Sequence, residues 1–202
     1  QFSSLDCTAC GVCAAECPVK EKAIVMKPAD EVKYSPECWE YGLTIRQKDD
    51  IFSINTVKGS QFRRPLLEFS GACAGCGETP YAKLMTQLFG DHVYWANATG
   101  CSQAWASAMP CVPYTVNSEG EGPAWSNSLF ENNAEFSLGM ALASQQTRRR
   151  MKDQVEELLA LLDENSGEAD SARAWISAFD DFSESKRTGK ALVAALKAAR
   201  LE

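Results

Sequence analysis

Histidine is nearly absent from this 202-residue sequence: His92 stands alone against nine cysteines. One imidazole leaves little scope for a Cys/His nucleophile pair or for zinc sites of mixed ligation. Basic excess is missing too. Twenty Lys and Arg face 27 Asp and Glu, a net charge of −7, which excludes a general nucleic-acid surface. No apolar run approaches the roughly 18 residues of a membrane span, and no charged-then-apolar signal segment opens the chain. No period of 20–50 residues recurs, so a repeat architecture is not expected. The chain starts on Gln1 rather than Met, and the expectation is a piece of something larger.

What is abundant is cysteine, in clusters of short spacing. A small secreted disulfide scaffold would be shorter, so thiolate–metal chemistry in a reducing, cytoplasmic setting is the expectation. "CTACGVCAAECP" is C-x2-C-x2-C-x3-C-P, formed by Cys7, Cys10, Cys13, Cys17 and Pro18. The first three thiolates at this spacing suit one 4Fe–4S cluster, and in bacterial ferredoxins the fourth serves a neighbouring one. A zinc site would need four thiolates in two pairs and leaves the third spacing unexplained. No second copy of the run is present. Cys38, in "SPECWEYG", is either a substitute ligand or an ordinary thiol beside Trp39.

The second cluster begins at "SGACAGCGETPYAKL", with Cys73 and Cys76 two residues apart among small residues. On spacing alone a zinc knuckle, a redox disulfide and an iron–sulfur pair all remain open. Thr79 and Pro80 should start a helix, since proline near the first helical position loses no hydrogen bond.

By composition the chain divides into residues 1–30, loop-like with a possible strand at Ala23–Met26, and a connector over 31–64 with "FSINTV" as a strand. A denser Gly- and Trp-containing region follows over 65–140, then a helical segment over 141–202. In that last part Val155, Leu158, Leu159 and Leu162 recur at helical spacing, as do Trp175, Ile176, Phe179 and Phe182, then Leu192, Val193 and Leu196. "ENSGEADS" reads as a break between helices, with Gly167 as a C-cap.

Three long motifs in order, "EFSGACAGCGETPYAKLMTQLFGD", "ANATGCS" and "GPAWSNSLFENNAEFSLGM", follow the ferredoxin-type run and "KGSQFRRPLLEFSG". Over residues 5–145 the chain resembles the pyruvate:ferredoxin (flavodoxin) oxidoreductases, where a ferredoxin-like domain meets a thiamine diphosphate domain. The resemblance implies that Cys73, Cys76 and Cys101 ligate a 4Fe–4S cluster near the thiamine, with a fourth cysteine supplied elsewhere. It implies that Glu78 and Phe130 stand beside the cofactor's aminopyrimidine. It implies a 2-oxoacid and coenzyme A as substrates, thiamine diphosphate with Mg2+, ferredoxin or flavodoxin as acceptor, and a homodimer when complete.

The implied fold is an α+β ferredoxin-like remnant followed by an incomplete α/β thiamine-diphosphate-binding domain with a helical C-terminal part. After Met140 no G-D-G with a later asparagine appears to hold magnesium and diphosphate, and the last cysteine is Cys111. Cys111 fits no position of the pattern and is either an opportunistic fourth ligand or a packed thiol. The isolated chain is therefore expected to need the remainder of its enzyme for turnover. A stand-alone 4Fe–4S electron carrier and a cofactor-free structural module are the competing readings.

Overall fold

The computed structural model describes residues 3–31, 36–48, 50–107 and 112–199, which fall into two compact units that meet at Ser137/Leu138.

In the first unit, short helices α1 (Val12–Ala15), α2 (Pro36–Thr44) and α3 (Val57–Ser60) precede α4 (Thr79–Phe89). Strand β1 (Tyr94–Ala98), helix α5 (Cys101–Ala106) and strand β2 (Ala124–Ser128) follow. The helix expected at Thr79 is present, with Pro80 in its first turn. Its buried face mixes Ala82 with two polar residues, Thr86 and Gln87. Those groups are satisfied by the preceding segment. Leu66 N–H donates to Thr86 Oγ1 at 3.1 Å, Gln87 Nε2 donates to the Arg63 carbonyl at 2.8 Å, and Gln61 Nε2 donates to Gln87 Oε1 at 3.1 Å. Buried amides and hydroxyls are tolerated only when partnered in this way.

β1 and β2 pair in parallel, Trp95 opposite Trp125 and Asn97 opposite Asn127. Parallel pairing needs a crossover, which α5 and the loop through Tyr114 provide. Leu67, Ala82, Trp105 and Ala106 form the buried core, with Ala72, Trp95, Tyr114 and Trp125 packed against it. The rings of Trp95, Tyr114 and Trp125 lie within 27° of parallel, with centroids 5.3–6.3 Å apart. An antiparallel bridge between Leu67 and Tyr114 closes the unit.

Two expected strands are not strands. Across "FSINTV", Ser53 O accepts from both the N–H and the hydroxyl of Thr56, and Thr56 Oγ1 in turn accepts from Gly59 N–H at 3.0 Å. Ser and Thr close local turns of this kind in competition with a ladder, so the segment caps α3. Ile24, Val25 and Met26 are exposed and irregular. Hydrogen bonds back to the Cys17 region tie that segment down instead of a partner strand.

Helix α6 (Asn133–Leu159) starts before the boundary, and its part in the second unit carries Val155 and Leu159 towards α7 (Gly167–Ser177) and α8 (Phe182–Ala198). Ala172, Trp175 and Leu192 are the buried centre, with Ile176, Phe179 and Leu196 around them. Gly167 does not cap the preceding helix. It is the first residue of α7, because Ser166 Oγ accepts the Ala169 N–H at 3.2 Å and so fixes the helix start one residue earlier. Among the described residues no helix is long and apolar enough to cross a membrane.

Candidate iron–sulfur and cofactor site

Cys7, Cys10 and Cys13 are exposed, and Cys17 is half-buried. The run is wound by left-handed residues, Ala9 at φ 56° and Gly11 at φ 74°, with Gly11 entering α1. Only the glycine adopts that conformation without steric cost. Main-chain N–H groups of Val19 and then Ala23 hold the Cys17 thiol below its ordinary pKa. The Ala23 nitrogen lies 3.4 Å from the sulfur. Lys22 Nζ donates to the carbonyls of Ala15 (2.8 Å) and Cys17 (2.9 Å), which closes the loop behind the run.

The second pair is built from a tight turn. Cys76 N–H donates to the Cys73 carbonyl at 3.0 Å, with Gly75 at φ 70° between them. A turn with positive φ at its third residue calls for glycine there. The Cys76 thiol is also held below its usual pKa, first by the Thr79 hydroxyl, then by the N–H groups of Thr79 and Glu78, with burial and then the Glu78 carboxylate opposing. The Thr79 hydroxyl is shut off from solvent and makes no hydrogen bond of full geometry to the protein. It lies near the sulfur without being satisfied by it. The space beside Gly71, Gly77 and Gly100 is open, so backbone is available there for close approach. Cys73 and Cys101 are exposed.

Cys101 opens α5, three residues after β1 ends, and Phe130 lies two residues after β2. Because Ala98 pairs with Ser128 in a parallel register, both loops leave the carboxyl edge of the same strand pair. That edge is where open parallel sheets place their ligands. Thr99 Oγ1 donates to the Ser128 carbonyl at 3.5 Å, and the Phe130 N–H donates to Ser128 Oγ at 3.1 Å. The Phe130 ring itself is 86% exposed, so it is not a core residue. Glu78 is exposed at the N-cap of α4. Burial, and secondly the Glu78 charge, raise the Tyr114 phenol well above its ordinary pKa and keep it protonated.

Among the described residues no three Cys, His, Asp or Glu side chains converge as a metal cage. The donor chemistry nevertheless fits an iron–sulfur cluster: accessible thiols, none in a disulfide, with N–H groups turned onto Cys17 and Cys76. Cys38 is exposed on α2, and Cys111 lies outside the described residues.

The aromatic stack is what sequence reasoning missed. Its signal is the repeated tripeptide W-x-N, Trp95–Asn97 and Trp125–Asn127, which the strands bring into register.

Related proteins decide what this arrangement belongs to. The chain is 52% identical over 182 residues to the pyruvate-flavodoxin oxidoreductase of Klebsiella pneumoniae, covering 89% of this chain and 15% of that protein. It is 48% identical over 197 residues to the pyruvate:ferredoxin oxidoreductase of Moorella thermoacetica, covering 97% and 17%. The chain belongs, as a segment, to the pyruvate:ferredoxin and pyruvate:flavodoxin oxidoreductase family. It is also 50% identical over 156 residues to the pyruvate dehydrogenase [NADP(+)] of Cryptosporidium parvum, covering 77% of this chain and 8% of that protein. The chain thus spans about a sixth or less of the length of these oxidoreductases. No protein-family model matches it.

Proposed function

We propose that this oxidoreductase segment carries electrons away from a 2-oxoacid, pyruvate or a close analogue, during oxidative decarboxylation to acyl-coenzyme A and carbon dioxide. The electrons pass through 4Fe–4S clusters to ferredoxin or flavodoxin, in the cytoplasm and together with the remainder of the enzyme. The observation that supports this most is the 48% identity to such an enzyme across 97% of the chain, a stretch long enough to include both cysteine runs.

In this reading Cys7, Cys10 and Cys13 hold one cluster, and Cys17 belongs to a neighbouring one. Cys73, Cys76 and Cys101 hold the cluster nearest the thiamine diphosphate and its Mg2+. Bound thiamine diphosphate supplies the electron sink for loss of carbon dioxide.

The chain's own groups do the rest. N–H donors on Cys17 and Cys76 favour the thiolate, the form that binds iron. The Thr79 hydroxyl adds the largest push toward the Cys76 thiolate and would keep acting on that sulfur in the cluster-bound form. The stacked Trp95, Tyr114 and Trp125 rings shield one side of the strand pair from water. Glu78 stands close enough to Tyr114 for its charge to be felt there.

Anaerobic reconstitution of the complete enzyme with iron and sulfide tests the reading. A brown protein absorbing broadly at about 400 nm is expected. Cys10→Ser should remove one share of the iron and Cys73→Ser another. A colourless product with every thiol still titratable overturns it.

A further inference from the structure

A cavity of about 560 Å3 lies in the first unit, away from both cysteine runs, between α2 and its following loop, the segment before Leu66, the end of α4 and the turn at Asn117. Its lining is unusual for a chain of net charge −7, because Arg46, Arg63 and Arg64 all contribute. The floor is built rather than accidental. Thr86 and Gln87 are 2% and 3% exposed and fully engaged, and Arg64 N–H donates to Gln47 Oε1 at 3.0 Å.

The three guanidiniums differ in what holds them. Arg63 donates to the Gln87 carbonyl at 3.2 Å, and among the described residues no carboxylate pairs with it. Arg46 pairs with Asp50 at 2.7 Å, but those side chains are 83% and 62% exposed, so the pair is weak and readily exchanged. Arg64 pairs with Glu68 at 3.0 Å through one nitrogen, while its Nε is buried without an acceptor. Among the described residues Asp91 is the one carboxylate on the cavity wall, and it is already engaged by His92. Guanidinium forks recognise phosphate oxygens two at a time. Leu43, Ile45 and Leu66 supply an apolar wall next to them, and the volume is that of ordinary small-molecule sites.

We propose that this cavity binds the diphosphate group of a nucleotide-sized molecule, with Arg46 and Arg63 on the phosphates and the leucine and isoleucine side chains against its apolar part. The site is distinct from the cysteine runs and does not depend on cluster loading.

Calorimetric titration of the 202-residue chain with ADP, pyrophosphate and adenosine at low salt tests it. Saturable binding of ADP and pyrophosphate is expected, adenosine binding much more weakly, and the affinity should fall with added salt. Arg63→Gln should weaken ADP by about tenfold or more. Arg46→Gln, on an exposed side chain that leaves the fold intact, should weaken it several-fold. Arg187→Gln in the second unit should change nothing. The proposal is overturned if adenosine binds as tightly as ADP, if neither phosphate compound saturates, or if both Arg46→Gln and Arg63→Gln bind as the parent does. Iron incorporation measured on the complete enzyme carrying the same substitutions stays at the parent level, so failure here and failure of the cluster reading are told apart.

Discussion

Replacing Trp105 separates two contributions to the core of the first unit. The residue is 5% exposed and lies four positions after Cys101 on α5, so its burial is what seats that helix against Leu67 and Ala82. Its indole Nε1 is buried with no protein acceptor. Trp105→Ala removes the whole ring and leaves a cavity, which costs about 3–5 kcal/mol. Trp105→Phe keeps most of the ring and loses roughly 1–2 kcal/mol of apolar contact. It also removes a donor whose unsatisfied burial costs about 1–3 kcal/mol. The two terms nearly cancel, so Trp105→Phe should lie within about 1 kcal/mol of the parent.

Urea unfolding is the assay. Because the chain has two compact units, the signal must report the first alone. The far-ultraviolet exciton band of the stacked Trp95 and Trp125, 5.3 Å apart, does so. A Trp105→Phe variant as unstable as Trp105→Ala would refute the reasoning and show that the indole nitrogen is a satisfied anchor.

Three other outcomes are expected. In the metal-free chain, alkylation of Cys76 should reach its half-maximal rate at a pH below that of an ordinary thiol. Thr79→Val should move that midpoint upward, since the hydroxyl is the largest contribution lowering the thiol's pKa; pH–rate profiles by peptide mass spectrometry measure it. Gly59→Ala should destabilise the first unit by about 1–3 kcal/mol or more, because its Cβ would sit 1.9 Å from the Ser53 carbonyl oxygen and the turn must open; denaturant melts report the loss. Asp181→Ala removes the acceptor of the Glu184 N–H at the start of α8 and should cost the second unit about 1 kcal/mol, read from its helical circular dichroism on heating.

Both cysteine runs, the helix at Thr79 and the helical character of residues 141–202 were legible in the sequence because each depends on spacing along a single segment, although α6 starts earlier, at Asn133. The tight Cys73–Cys76 turn follows from a glycine at the one position that needs positive φ. Two apolar stretches misled. "FSINTV" has strand composition, yet its Ser53 and Thr56 side chains and carbonyls close a turn on each other. Ala23–Met26 has strand composition too, but its Ala23 N–H goes to the Cys17 sulfur and the preceding Lys22 side chain to the Cys17 carbonyl, with no ladder formed. Gly167 was legible as a helix boundary, but which side of the boundary it served depended on Ser166 reaching Ala169.

The sequence by itself determined which thiols are grouped and which family the chain is kin to, since ligand spacing and motif order are properties of the linear chain. Only the tertiary structure decided that the Cys101 and Phe130 loops share one strand edge, that Trp95 and Trp125 stack, and that three arginines from two separate stretches line one cavity. The reason is physical: strand register and helix docking bring together residues about 30 positions apart, and that proximity follows from burying the Leu67–Trp105 core rather than from any local preference.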